Sequence, residues 1–114
     1  MSIQNKTYQP LQSLTVKATQ DLPAFRFVSH LGSLCADAGR AYGVTEVDWL
    51  SGEFSQVVSL GTIAIETTSI INAGEDVTSA ASGKARKATG AEPVNGRALD
   101  ASSGSDFIRI KLVP

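Results

Sequence analysis

Two side chains capable of covalent or metal chemistry lie close together in the sequence, His30 and Cys35, five positions apart. Such a pair offers a thiolate nucleophile with an imidazole base, or two ligands toward a metal site. A metal site wants more ligands than these at close spacing, and the chain has one His and one Cys in all. With Gly32 between them, nothing in the spacing makes the two side chains face each other, so a buried thiol and an incidental imidazole is the simpler reading. Glu46/Asp48 and Glu75/Asp76 have the right types for acid and base work, but neighbouring carboxylates in turns are ordinarily solvated. Gly83-Lys84 is not a phosphate loop, because the upstream glycine and the following Ser or Thr are both missing. The residue types therefore predict no catalytic residue, no cofactor and no metal.

Two other classes remain as alternatives. Gly83-Lys84-Ala85 on a predicted hairpin tip has the outline of a lipoyl or biotinyl lysine, with Gly83 standing where such carriers have an acidic residue or Met. A small hydrolase would use His30 with Cys35 or a nearby Ser. Aromatic residues are few, and Phe25, Phe27, Phe54 and Phe107 are expected in the core, which leaves Trp49, Tyr42 and Tyr8 as contact residues.

The elements that would position these groups are strands. Apolar and polar residues alternate with period two in Leu14-Thr15-Val16-Lys17-Ala18 and in Phe25-Arg26-Phe27-Val28, entered through Pro23. Further strands are expected at 41–47, 56–60, 62–66, 84–88 and 97–99. The clearest is 107–113, where Ile108, Ile110 and Leu112 share one face and Phe107, Arg109, Lys111 and Val113 the other. Gly recurs about every ten residues from Gly32 to Gly104, the turn rhythm of small sandwiches and barrels. No helical stripe stands out, and short helices are expected at most at 48–51 or 68–71. Ile71 and Val77 should bury on either side of a tight turn at Gly74, with Glu75 and Asp76 wet. Gly39-Arg40-Ala41, Gly83-Lys84-Ala85 and Gly96-Arg97-Ala98 repeat one pattern: a turn glycine, an outward cation and an inward Ala. The stretch 100–106 is small and polar, and is expected to be an exposed loop. The fold class is all-β, a small sandwich or barrel-like (β-tulip-type) domain.

Composition narrows the function. The 114 residues carry 10 Lys+Arg against 11 Asp+Glu, a formal net charge of −1, so the basic excess of an electrostatic nucleic-acid binder is missing. No uncharged apolar stretch approaches the roughly 18 residues of a spanning helix, and Met1 to Lys6 lacks the apolar core of a secretion signal. Without that signal, the glycosylation pattern at Asn5-Lys6-Thr7 is read as chance. One Cys allows no internal disulfide. Gly, Ala, Ser and Thr fill 46 positions, so the surface should be small-featured and weakly charged. Residues 1–12, with isolated Ile3, Tyr8 and Leu11 among polar neighbours, are expected to form a flexible arm in front of a single domain at 13–114.

The order of these features over residues 13–113 resembles the capsid cement or head decoration proteins of tailed bacteriophages (domain of unknown function 2190). It is carried by Phe25-Arg26-Phe27-Val28 with Gly32, then Ala38-Gly39-Arg40-Ala41-Tyr42-Gly43-Val44, then Gly52 ahead of Val57-Val58. Gly61-Thr62-Ile63-Ala64-Ile65-Glu66, Ile71-Asn72-Ala73-Gly74-Glu75-Asp76-Val77 and Ser82-Gly83-Lys84-Ala85 follow, then Asn95-Gly96-Arg97-Ala98-Leu99 and Phe107 to Leu112. The resemblance implies a small β-rich fold, several copies on the outer surface of a phage head, synthesis in the host cytoplasm, the major capsid protein as partner and no enzymatic activity. Gly39, Gly43, Gly74, Gly83 and Gly96 match its turn positions. A homotrimer is favoured and a dimer is the alternative. The arm lies outside the resemblance. On physical grounds it is expected to order on the shell as an added strand, with Ile3, Tyr8, Pro10 and Leu11 making the contact.

Overall fold

A computed structural model describes residues 7–113. In chain order its strands are β1 (Pro10–Lys17), β2 (Phe27–Val28), β3 (Gly43–Thr45), β4 (Phe54–Glu66), β5 (Ile70–Ile71), β6 (Asp76–Ser79), β7 (Ala85–Lys87), β8 (Gly96–Ala98), β9 (Ser102–Ser103) and β10 (Phe107–Leu112). The main sheet runs β2-β3-β4-β10-β8-β6-β7, with β1 paired to β4 off that path, and β5 pairs with β9 in a second, two-stranded sheet. All pairings between the named strands are antiparallel. The all-β, barrel-like class expected from the alternation is the class observed.

The main sheet curls until its ends meet. Beyond β2 the chain turns back so that Leu34 bridges Val28 and the Cys35 amide donates to the Phe27 carbonyl (3.0 Å). That returning segment then joins the far edge of the sheet. The Ala38 amide donates to the Ser79 carbonyl of β6 (2.8 Å) and the Gly83 amide donates to the Cys35 carbonyl (2.9 Å). Arg26 spans the same junction, with Nη2 3.1 Å from Glu66 Oε1 and Nη1 donating to the Ser82 carbonyl (3.1 Å). The closure is thus made by single hydrogen bonds and one charged clamp, with no continuous ladder.

Inside the barrel lie Phe27, Val44, Val58, Ile63, Ile65, Val77, Ile108 and Ile110, all essentially without exposure. Each such side chain contributes about 1.5–3 kcal/mol on burial. β10 follows its predicted alternation, Ile108, Ile110 and Leu112 inward and Phe107, Arg109 and Lys111 outward. A smaller cluster of Ala18, Leu22, Val28 and Val57, covered by Leu14, Val16 and Trp49, packs on the other face of the sheet.

Several expectations need correction. Residues 56–60 and 62–66 are one strand, because Gly61, at φ +103°, acts as an irregularity within β4 instead of a hairpin turn. β1 pairs with β4 up to Pro10↔Gly61, and β10 pairs with β4 from Thr62 onward. Phe25 does not continue β2, since it adopts φ +60° and its ring leaves the barrel. Only Phe27 of the four phenylalanines is in the core, and Phe54 is 69% exposed. The stretches 48–51 and 68–71 form no helix; Trp49 bridges Leu22 and Ile70–Ile71 is β5. A single 3-10 turn at Ala81–Gly83 is the helical element of the described residues. The stretch 100–106 holds β9, with Ser102 and Asp106 buried, because Ser102 Oγ meets the buried Thr67 Oγ1 at 2.7 Å.

The predicted turn glycines divide into two kinds. Gly74 and Gly83 have positive φ, as a turn requires. Gly43 and Gly96 are strand residues with ordinary φ, kept small by neighbours: a Cβ on Gly43 would lie 2.8 Å from the Val58 carbonyl oxygen, and one on Gly96 3.0 Å from that of Lys111. Gly39 is likewise limited by space, its Cβ position falling 2.9 Å from the Ala36 carbonyl oxygen. The three Gly-cation-Ala echoes therefore share composition without sharing geometry.

Candidate functional site

The residues with reactive side chains are dispersed by the fold. Cys35 is buried inside the barrel, where its thiol donates to the Arg40 carbonyl and burial pushes its pKa up, away from thiolate chemistry. His30 stands outside, its ring 4.7 Å from that of Tyr42. Lys84 is clamped to Glu66 at 3.2 Å and so is not a free hairpin-tip lysine. The carboxylate pairs are split among separate tasks. Asp48 accepts from the Ala24 amide and Glu46 from the Tyr8 hydroxyl, while Glu75 accepts from the Asn72 amide and pairs with Lys87. Hydrogen bonding from Asn72 lowers the Glu75 pKa, and hydrogen bonding from Arg86 lowers that of Glu92 to about 2, as expected for carboxylates held in ion pairs. Among the described residues no three His, Cys, Asp or Glu side chains gather as metal ligands, and no helix is long and apolar enough to cross a membrane.

What the molecule presents is a surface feature at its N-terminal end. Ile3 lies outside the described residues. From Thr7 the chain runs across the outside of the barrel before entering β1. The Thr7 carbonyl accepts from Arg109 Nη1 (3.4 Å), and Gln9 is held both ways by Thr62, whose Oγ1 accepts from its amide (2.6 Å) and whose amide donates to its carbonyl (3.0 Å). Ala64, opposite Arg109 and pointing away from the barrel interior, is fully buried, as a crossing segment would make it. The Tyr8 ring meets Phe25 edge-on at 6.2 Å, and Phe25 meets Phe107 the same way at 6.1 Å. Burial and the Glu46 carboxylate both raise the Tyr8 pKa, so its hydroxyl remains a donor.

This row explains the left-handed Phe25. Its backbone is fixed by bonds from its own amide to the Thr45 carbonyl and to its carbonyl from the Glu66 amide, which hold the ring between the other two. Tyr8 is accordingly engaged with its own domain. Tyr8→Ala is expected to cost about 2 kcal/mol, from one edge-to-face pair and the apolar area it covers, in a urea titration. Leu11→Ala, at a side chain that is 68% exposed, should leave the midpoint unchanged; equal costs at the two positions would contradict the described path.

Pro10 and Leu11 lie in β1, so the boundary expected between residues 12 and 13 falls inside a strand. The ladder is irregular here, with register shifts between Pro10 and Gln12 and between Gln12 and Ser13. Leu11 emerges beside a notch of about 290 Å³ where β1 leaves β4 and β10 ends, walled by Gln9, Leu60, Gly61, Thr62, Lys111 and Leu112. A second hollow of about 310 Å³ lies by His30, Arg40 and Asn95, but Asn95 is engaged in holding the chain, accepting from the Ala41 amide and donating to the Gly39 carbonyl. Leu60 and Lys111 help wall the notch, and sequence reasoning singled out neither of them. Leu60 directly before Gly61 was the one available signal.

Comparison with known proteins bears on the kind of molecule this is. The described strap and barrel, residues 7–112, match the family model described as phage cement protein. The match starts ahead of the resemblance noted at 13–113 and takes in the crossing segment and the start of β1. The fold is also similar to a solved structure titled "The crystal structure of head fiber gp8.5 N base in bacteriophage phi29", with a TM-score of 0.74 at 21% identity, over 90% of this chain and 93% of that one. No curated protein matches the chain. The match to this family model along nearly the whole chain places the chain in the phage cement protein family, structural proteins of the phage head.

Proposed function

We propose that the protein binds the outer surface of a phage head and holds neighbouring major capsid subunits together, stabilising the shell without catalysing a reaction. The observation that carries this is the family match over residues 7–112, joined to a barrel in which the Cys35 thiol is buried and Lys84 is clamped to Glu66. The contact is made at the N-terminal end, where Ile3 and Leu11 supply apolar anchors while Tyr8 and Pro10 fix the direction of the chain. Many weakly binding copies give a shell-wide effect through multivalency, and the near-zero net charge lets copies sit close without mutual repulsion. The copies associate with one another, a trimer being favoured and a dimer the alternative; light scattering of the free protein separates them.

The test uses heads assembled without this protein. Adding it should saturate a fixed number of sites in a sedimentation assay and raise the temperature at which heads release their contents. A variant lacking residues 2–6 and carrying Leu11→Ser should bind about tenfold more weakly, the equivalent of about 1.4 kcal/mol. Unchanged head stability in the presence of saturating protein would overturn the cementing role, and undiminished binding by the variant would overturn the assigned contact.

A further inference from the structure

Among the described residues the outer edge of β1 is an unused pairing edge with a recognisable chemical pattern. The strand pairs with β4 along one side, and among the described residues nothing pairs with the other. Which backbone groups face outward follows from the bonds just past its end. The Ala18 amide donates to Glu53 on the β4 side, and the Thr19 amide donates to Gly32 on the opposite side. Ser55 Oγ donates to the Val16 carbonyl, again from β4. Successive residues of an extended chain alternate in direction, so the backbone groups of Ser13 and Thr15 point away from β4, and both residues are exposed. The loop at Gly32 blocks the edge at Lys17, where a Cβ on Gly32 would lie 1.9 Å from the Lys17 carbonyl oxygen. The edge is therefore open from Thr15 toward the Leu11 end and stops at Lys17.

At its open end this edge runs into the notch of Leu11, Leu60 and Leu112, bordered by Lys111. Lys17 and Lys111 are both exposed, and among the described residues neither meets an anion; Lys17 has only the Phe54 ring, 6.0 Å from its Nζ. The other basic side chains of this surface behave differently: Arg109 pairs with Asp100 at 2.8 Å and Arg97 lies 3.6 Å from Asp76. A second copy of β1 fits poorly, because two-fold pairing about Leu14 would set Lys17 against the partner's Leu11 and its apolar notch.

Resting on the capsid-binding reading above, we infer that an extended, acidic segment of a capsid subunit adds as a strand along Ser13–Thr15, places one aliphatic side chain in the notch and sets its carboxylates against Lys17 and Lys111. Main-chain bonds give this mode its affinity, and the notch and the two lysines give it register and sign.

Heads lacking the protein are the probe, with bound copies counted after sedimentation at low and at high salt. Thr15→Pro removes an outward amide from the edge, and Lys17→Glu with Lys111→Glu reverses its charge; all three positions are exposed, and urea titration checks that each variant is folded. Each variant is expected to bind about tenfold more weakly than wild type at low salt. Wild-type binding should weaken with salt, and the charge-reversed variant should lose that dependence. Wild-type protein that binds heads while both variants bind equally well would overturn this inference and leave the head-binding reading standing. Variants that bind heads normally but lose self-association would overturn it in favour of a second copy at the edge. Wild-type protein that fails to bind heads would overturn the head-binding reading on which it rests.

Discussion

Replacing Gly83 with Ala is expected to destabilise the protein by about 3 kcal/mol. Gly83 stands at the barrel closure with φ +73°, a region that costs an L-residue about 1–2 kcal/mol. Its missing Cβ would lie 2.4 Å from the carbonyl oxygen of Phe27, a backbone atom that cannot swing aside. Relieving that overlap means moving β2 or breaking the Gly83 to Cys35 bond, which adds about 1–3 kcal/mol. Gly74→Ala is the matched control. Its φ is +91° but its Cβ would meet nothing within 4 Å, so only the conformational part, about 1 kcal/mol, should appear. Equal losses at the two positions in denaturant titrations would show that the closure at Gly83 is not close-packed.

Phe27→Ala should be more damaging still. Phe27 is the largest fully buried side chain, and its carbonyl both accepts from the Cys35 amide of the returning segment and is the atom that Gly83 approaches. Removing a buried Phe side chain costs about 3–5 kcal/mol, against about 5–15 kcal/mol for the whole stability of a domain of this size. At about 4–8 °C per kcal/mol the melting temperature should fall by more than about 12 °C. The variant should also leave heads undecorated at temperatures where wild type binds, because the strap and β1 depend on the barrel beneath them. A fall of only a few degrees would mean that the closure does not depend on Phe27.

These two residues also mark how far the sequence was informative. Alternation located β10, the later part of β1 and the second half of β4, because in each Ile, Val or Leu recurs at every second position on one face. It failed where the cause of burial is remote. Thr78 and Ser79 of β6 are wholly buried polar residues, so no alternation announces that strand. Ser102 is buried by the Thr67 hydroxyl 35 positions away. Gly61 has the positive φ that a hairpin glycine would also have, so its sequence could not distinguish a turn from an irregularity in one long strand. Phe25 belongs by pattern with Phe27, yet its ring joins Tyr8 and Phe107 on the outside.

The N-terminal end divides in the same way. Its sparse apolar residues marked it as different from the body, and Leu11 is exposed. The engagement of Tyr8 was not legible, because it depends on Glu46, Phe25 and Arg109 being assembled by the barrel. The notch was not legible either, since it is formed by the meeting of β1, β4 and β10 at Gly61.

The central claim is that this is a structural part fastened to the outside of a phage head across neighbouring subunits. Electron-microscopic reconstruction of heads with and without the protein tests it most directly. Difference density of the size of this barrel, outside the shell and bridging adjacent major capsid subunits with the β1 end against them, is the predicted result. Difference density confined to one capsid subunit, lying inside the shell or missing at saturating protein would contradict it.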